Sequence, residues 1–437
     1  MKLLDIMKIV ENHIIIDVVF KKRIKIGYIM GRNKKRDNYD KIIDNYNRDE
    51  ITYFNKLLPD TQDNIIKIEK NINDISNEIV PIRFKFLLSN TTIENKRVII
   101  NKLNEINKLS SHSSEYSKLY KYINTLSKLP LGLYQNINIR KNEISDYLTN
   151  IKKELNNKIY GHDETKDQII RILAQFIANP NARGYAIGIQ GSMGVGKTKL
   201  IKDGIAKVLK FPFAFIPLGG ISDSSYLKGH LYTYEGSTYG KIVDEIIKAK
   251  VMNPIFFFDE LDKISSSRYG EEITNTLIHI TDNTQNESFS DKYLEEISLD
   301  LSKSLMFFTF NNIENVNPIL RDRMIIIKVD KYSLSDKIKL CRNFLIKEIC
   351  TSYNFKMDDI IIKDEDIEYI INRTTEEDGV RNLQRNINNI YSYINMNRFI
   401  KIDDKLISFP YIITREFINK YIIMKREENL INLSLYL

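Results

Sequence analysis

The stretch Gly191-Ser-Met-Gly-Val-Gly-Lys-Thr198 fits the pattern G-x-x-x-x-G-K-[ST] without a gap. Before it runs Tyr185-Ala-Ile-Gly-Ile-Gln190, short, apolar and β-leaning, as a buried strand is. After it, Lys199-Leu-Ile-Lys-Asp-Gly-Ile-Ala-Lys-Val-Leu209 carries apolar residues at helical spacing. The motif therefore sits on a strand–loop–helix. Glycines in such a loop let successive backbone N–H groups turn toward phosphate oxygens. Lys197 is placed to reach the β- and γ-phosphates, and the Thr198 hydroxyl to hold Mg²⁺.

Outward from this loop, the same alternation repeats. Ile255-Phe-Phe-Phe-Asp259-Glu260 is a second apolar strand ending in two acids. A carboxylate there can hold Mg²⁺ through water, and its neighbour can act as general base toward an attacking water. Leu305-Met-Phe-Phe-Thr-Phe310-Asn311-Asn312 is a third strand, ending in amides able to orient that water or meet a phosphate. Ile319-Leu-Arg321-Asp322-Arg323 precedes a fourth, Met324-Ile-Ile-Ile-Lys-Val329. Arginine there suits a finger role, because its charge is permanent and its donors fork. The pattern predicts an α/β fold, a parallel sheet flanked by helices. From about residue 331 the strand pattern stops and helices follow, among them one opened by Gly379-Val-Arg381-Asn-Leu-Gln-Arg385.

Toward the N-terminus the chain is polar and helical. Ile65, Ile68, Ile72 and Ile75 recur at spacings of three and four, as do Ile99, Leu103, Ile106 and Leu109. The stretch from about 50 to 157 reads as long, partly coiled helices broken at Pro81 and Pro130-Leu-Gly132. The expected division is 1–50 unassigned, 51–157 helical arm, 158–330 α/β core, 331–424 helical lid and 425–437 tail. Within residues 1–50, Ile14-Ile-Ile-Asp-Val-Val-Phe20 reads as a strand, while Lys21-Lys-Arg-Ile-Lys and Asn33-Lys-Lys-Arg36 are small basic clusters.

Composition bounds the remaining classes. The 437 residues are 43% hydrophobic and 28% charged, with net charge +8. That describes a globular chain whose Lys and Arg are interleaved with Asp and Glu, a solvated surface more than a nucleic-acid footprint. Two cysteines, Cys341 and Cys350, exclude a disulfide framework and fit a reducing compartment. The five histidines are dispersed and form no metal-ligand spacing. No apolar run reaches the roughly 18 residues of a membrane span, and the charged start Met1-Lys-Leu-Leu-Asp-Ile-Met-Lys lacks a signal-peptide core. An intracellular, soluble protein without a membrane partner is expected.

Taken together, residues from about 115 to 424 resemble the ATPase part of Lon proteases, an AAA+ family. The resemblance is carried by Ile159-Tyr-Gly161, the Gly191–Thr198 loop, Leu218-Gly-Gly220 and Lys228-Gly-His-Leu-Tyr-Thr-Tyr-Glu-Gly-Ser237. It continues through Phe257-Phe-Asp-Glu-Leu-Asp-Lys263, Phe289-Ser-Asp-Lys-Tyr-Leu294, Asp322-Arg-Met324 and Gly379-Val-Arg-Asn-Leu383. Tyr122-Ile-Asn-Thr-Leu-Ser-Lys-Leu-Pro130 is similar to the family's linker helix. The resemblance implies an AAA+ ATPase that uses ATP and Mg²⁺. Tyr160, Gly191, Gly194, Val195, Gly196, Lys197 and Thr198 would hold the nucleotide, with Thr198 and Asp259 at the metal and Glu260 as base. Asn312, rather than Asn311, would be sensor 1 on its spacing to Arg323; Arg323 would be a finger reaching the next subunit; Arg381 would be sensor 2. Tyr234 would grip a threaded, unfolded polypeptide through bulk and apolar contact. The implied assembly is a homohexamer. The alternatives are a nucleic-acid remodelling ATPase, which the pore segment opposes, and a regulatory ATP-binding subunit.

Three departures bear on this. Glu235 follows the pore tyrosine where the family has an aliphatic residue, and Arg268-Tyr-Gly-Glu-Glu272 stands where the family has Arg-Gly-Asp-Pro. No Ser–Lys peptidase signature follows Phe417, so peptidase activity is not expected, and cleavage of a substrate would need a separate peptidase.

Overall fold

A computed structural model describes residues 46–76, 80–137, 139–179, 183–221, 223, 225–400 and 407–422. The strand expected at 14–20, both basic clusters and the 425–437 tail lie outside them. Two compact units divide the chain between Lys85 and Phe86.

In the first unit, the helix Arg48–Phe54 begins with a capping box in which Asn47 and Glu50 each satisfy the other's backbone N–H. Phe54 and Ile66 form a small core with Tyr46, Leu57 and Ile65. Of the expected isoleucine stripe Ile65 packs on this core and Ile68 is exposed, while Ile66, outside the stripe, is buried; the Ile72 and Ile75 side chains lie outside those described.

The arm region is helical and divided into separate helices, among them Pro59–Ser76, Ile93–Ile106, Ser114–Lys128 and Ile144–Lys158. Ile93–Ile106 starts at Thr92, whose side chain accepts the N–H of Asn95; Ser114–Lys128 starts at Ser113, which accepts that of Tyr116. Each cap satisfies an N–H of its own helix's first turn and so fixes where that helix begins. The helix before the expected 157/158 boundary packs on the α/β core. The helix Ile144–Lys158 buries Ile151 and Leu155 in one core with Ile169, Leu173, Leu200 and Ile205. Gly204 lets it approach: a Cβ there would meet the Leu155 side chain at 3.1 Å.

The centre of the second unit is a sheet of β1 (Ala186–Gln190), β2 (Phe213–Pro217), β3 (Ile255–Asp259), β4 (Met306–Phe310) and β5 (Ile325–Lys328). Its order is β2-β3-β4-β1-β5, and all neighbours are parallel. β3 and β4 are interior strands covered on both faces, which is why their sequences are continuous apolar runs and not alternating ones. Phe258 and Phe308 stack at 4.7 Å with planes 9° apart. Full burial of each such ring stabilises by roughly 1.5–3 kcal/mol, so the strands that end at Asp259 and Phe310 are firmly fixed.

The lid is helical and has its own core, centred on Ile349, Ile367, Ile370, Leu383, Ile387, Ile390 and Tyr391. Ile360–Ile361 and Tyr411–Ile412 add a short parallel pair to it. Among the described residues no helix is long and apolar enough to cross a membrane.

Candidate nucleotide site

The carboxyl ends of β1, β3 and β4 meet where the strand order reverses direction, the place at which open α/β sheets bind ligands. A cavity of about 330 Å³ opens there. It is lined by the 192–199 loop, by Asp259, Glu260, Asp262, Thr309 and Asn311 from the sheet edge, by Tyr160, and by Tyr332, Arg381 and Gln384 of the lid.

The loop curls because Gly194 and Gly196 take φ of +80° and +91°, the left-handed region open to glycine. Lys197 then points back over the loop. Its Nζ donates to the carbonyls of Gly191 and Ser192 and, at 2.6 Å, to Asn311 Oδ1. Burial pushes this ammonium below its ordinary pKa, and the carboxylates of Asp259, Asp262 and Glu260 oppose the shift. Three carboxylates on one side and a lysine on the other give the cavity both signs of charge.

Asp259 ends β3 and accepts hydrogen bonds from the Thr309 hydroxyl and from Glu260 N–H. Glu260 adopts φ +59°, a left-handed non-glycine that costs on the order of 1–3 kcal/mol and marks a position held for a purpose. In this position its carboxylate lies against Gly219: a Cβ there would be 2.2 Å from Oε2, so any side chain would make the carboxylate shift. Thr198 lines the cavity beside them.

The amide that meets Lys197 belongs to Asn311, whereas Asn312, the residue expected at the site, is placed elsewhere. Asn312 is exposed, does not line the cavity, and uses its Oδ1 to cap the next helical turn by accepting Glu314 N–H. The cause is the parity of a strand: adjacent residues point to opposite faces, and Asn311 shares the cavity side at the end of β4. Asp262, which sequence reasoning passed over, fixes this turn. Its Oδ2 accepts the N–H groups of both Asn311 and Asn312 at 3.1 Å each. Its Oδ1 is buried at the cavity with no partner among the described residues.

The lid is seated on the phosphate loop backbone to backbone. A Cβ on Gly379 would lie 2.2 Å from the Gly194 carbonyl carbon. Val380 N–H donates to Gly194 O at 3.2 Å, and Ser192 Oγ to Asp378 Oδ2 at 2.6 Å. Val195 O accepts from Tyr332 OH at 3.3 Å and lies 2.9 Å from His162 Nε2. The Glu377 carboxylate accepts the N–H groups of Asn382 and Leu383, fixing the helix start that carries Arg381. Tyr160 lies across the cavity and donates to Asp336 Oδ1 at 3.0 Å. Neither the Ser192–Asp378 nor the Tyr332–Val195 contact was legible from motif spacing, since each joins residues far apart in the chain.

Arg323 lies away from its own cavity. Its guanidinium donates to Ile278 O at 2.6 Å and pairs with Asp282 at 2.9 Å, at the end of the helix Arg268–Thr281. Tyr234 stands on the 229–240 loop, 65% exposed. The loop's neck is pinched by Gly229 and Gly240, whose backbones meet those of Thr238 and Leu227 too closely for any side chain. The buried Asp291 accepts Gly240 N–H at 2.9 Å.

A left-handed glycine cradle, a lysine, two strand-end carboxylates and an unpartnered buried carboxylate oxygen fit a nucleoside triphosphate with a divalent cation. Comparison with known proteins agrees. Residues 187–331 match the model of the ATPase family associated with various cellular activities (AAA), and residues 351–398 that of the Lon protease AAA+ ATPase lid domain. A Lon protease homolog of Acanthamoeba polyphaga mimivirus is 40% identical over 76% of this chain and 34% of its own length. The Lon protease of Malacoplasma penetrans is 39% identical over 66% of this chain and 36% of its own length. A solved Saccharomyces cerevisiae Hsp104:casein complex aligns at TM-score 0.47 and 18% identity, over 60% of this chain and 49% of that one. Fold and cavity define an AAA+ ATPase. The lid match and the relatives make it more particular: the chain carries an AAA+ ATPase module of Lon type. It spans about a third of the length of these two curated relatives.

Proposed function

We propose that this module hydrolyses ATP with Mg²⁺ to pull on or remodel unfolded polypeptide, as a ring of six copies. The carrying observation is the convergence of Lys197, Asn311, Asp259 and Glu260 on one cavity, roofed by Arg381. Lys197 and the loop N–H groups bind phosphates, with Thr198 and Asp259 at the cation; the cation's part is to shield phosphate charge. Glu260, exposed at the strand end, takes the proton of the attacking water, and Asn311 orients that water in place of the expected Asn312. Tyr160 borders the base, and Arg381 senses the phosphate end from the lid. Arg323 serves a neighbouring copy's site, consistent with its distance from its own. Tyr234, on the exposed loop, grips the chain being moved, with Glu235 adding charge beside it. Peptide-bond cleavage is assigned to none of these residues.

The test is ATPase activity with and without an unfolded protein, and with and without DNA. Unfolded protein is expected to stimulate turnover and DNA to leave it unchanged. Glu260→Gln is expected to bind ATP and lose about 10²-fold or more in turnover, as removal of a general base does. Stimulation by DNA alone would replace this reading with nucleic-acid remodelling.

A further inference from the structure

The loop that carries Tyr234 is tied at both feet, and a helix outside the α/β core does the tying. At one foot the Tyr232 ring lies 5.0 Å from that of Tyr122, on the helix Ser114–Lys128. At the other foot Tyr239 meets Tyr293 edge-on at 6.2 Å. Tyr122 and Tyr293 are themselves 6.0 Å apart. The rings therefore form a chain from foot to foot, with Tyr122 in its interior, fully buried and donating its hydroxyl to Leu294 O at 3.0 Å.

Polar contacts repeat the pattern. Lys102, on the helix Ile93–Ile106, lies 3.4 Å from the Tyr232 hydroxyl and 5.4 Å from its ring. Lys118 Nζ donates to Thr233 O at 2.8 Å. The helices are in turn anchored to the hairpin that carries Tyr293, because Asn95 exchanges two hydrogen bonds with the Ser298 backbone, at 2.7 and 3.0 Å. Tyr234, two residues beyond the joint, is left outside.

We propose that the helix Ser114–Lys128 is a brace for the substrate loop, with Tyr122 and Tyr232 as its positioning residues. A side chain that pushes on polypeptide needs a stiff support, or the loop yields in place of the substrate. Tilted and edge-on ring contacts supply that stiffness with little rotamer freedom left to lose. Contacts at both feet hold the loop's base while Tyr234 stays free to engage a chain of any sequence. The inference rests on the reading of Tyr234 as the gripping residue, and goes beyond it by placing the support in the arm and outside the ATP site.

The test uses the full chain with Tyr232→Leu, Tyr122→Leu and Tyr232→Phe. Hydrogen exchange is followed at the His230 and Gly240 amides, which donate to Thr238 O and Asp291. Unfolding of a fluorescent protein with a disordered tail and basal ATPase are measured in parallel. Tyr232→Leu is expected to speed exchange at those amides roughly threefold to tenfold, the range set by one lost aromatic pair. Unfolding should fall by a similar factor, with basal ATPase within about twofold, and Tyr232→Phe should restore both because the ring chain is kept. Unchanged exchange in both leucine variants, at unchanged melting temperature, would overturn the brace. Faster exchange with undiminished unfolding would overturn its positioning role. If wild type unfolds nothing, the gripping role of Tyr234 fails by itself, and the exchange data still decide whether the brace holds the loop.

Discussion

Replacing Gly379 by alanine places one methyl group in the seam between lid and phosphate loop. Its Cβ would lie 2.2 Å from the carbonyl carbon of Gly194, 2.5 Å from its oxygen and 2.7 Å from its Cα. All three are backbone atoms, and Gly194 is held at φ +80°, so no side chain can swing aside. Ordinary contact begins near 3.4 Å, so the seam opens by about 1 Å, as close packing leaves no room to absorb the methyl. The Val380–Gly194 and Ser192–Asp378 hydrogen bonds stretch with it, and Arg381 and Gln384 are drawn off the cavity. A 1 Å misplacement of a positioning group costs about 10²-fold, equivalent to about 2.7 kcal/mol of barrier. The sheet core and the lid core are untouched, so the melting temperature should shift little. The assay is kcat/KM for ATP by phosphate release, beside thermal unfolding. An alanine variant with wild-type kcat/KM would refute the view that this seam sets the catalytic geometry.

Asn311→Ala should lower ATP turnover strongly, whereas Asn312→Ala should cost only a cap, about 1 kcal/mol of stability; equal turnover losses would return the sensor role to open choice. Arg323→Ala should bind nucleotide and fail to turn it over, and co-assembly with Lys197→Ala should restore part of the activity through interfaces joining an intact finger to an intact loop. A confirmed mixed ring without activity would remove the trans assignment. Burial raises the Asp291 carboxyl from 3.8 to about 7, against the N–H groups of Gly240, Tyr293 and Leu294 that favour its charged form. The folded chain thus keeps a proton that the unfolded chain has released, and stability contributed by this group is present below about pH 4 and lost as pH rises through about 7. Asp291→Asn should flatten that slope in a melting-temperature series, and an unchanged slope would show that other groups cause it.

Much of the site was readable because its parts are local. A glycine loop between a strand and a helix, and acids at the end of an apolar strand, state their geometry in a few consecutive residues. What failed was parity and distance. Asn311 and Asn312 are adjacent amides, and only the side each takes at the end of β4 separates them. Asp262 was hidden in a turn whose sequence names no partner; its role comes from backbone N–H groups 49 and 50 residues away. In the arm the pattern is incomplete for a related reason. Isoleucine spacing gives a helical face, but Thr92 and Ser113 decide where each helix starts, and burial of Ile151 and Leu155 decides which unit owns the last one. The seating of the lid through Gly379 depends on backbone approach, which no side-chain pattern reports.

The position of Arg323 has a consequence for mass action. Its guanidinium already holds two acceptors, Ile278 O and Asp282, so if Arg323 serves a neighbouring copy as proposed, that copy's site would compete with the chain itself for the same group. Any association that recruits Arg323 must release those bonds first, and its apparent dissociation constant is weakened by their worth. Nucleotide that draws the guanidinium across repays this, and by linkage whatever tightens assembly also tightens nucleotide to the same degree. Dilution should then act as an inhibitor: turnover per chain falls with concentration while each isolated copy keeps its arginine on itself.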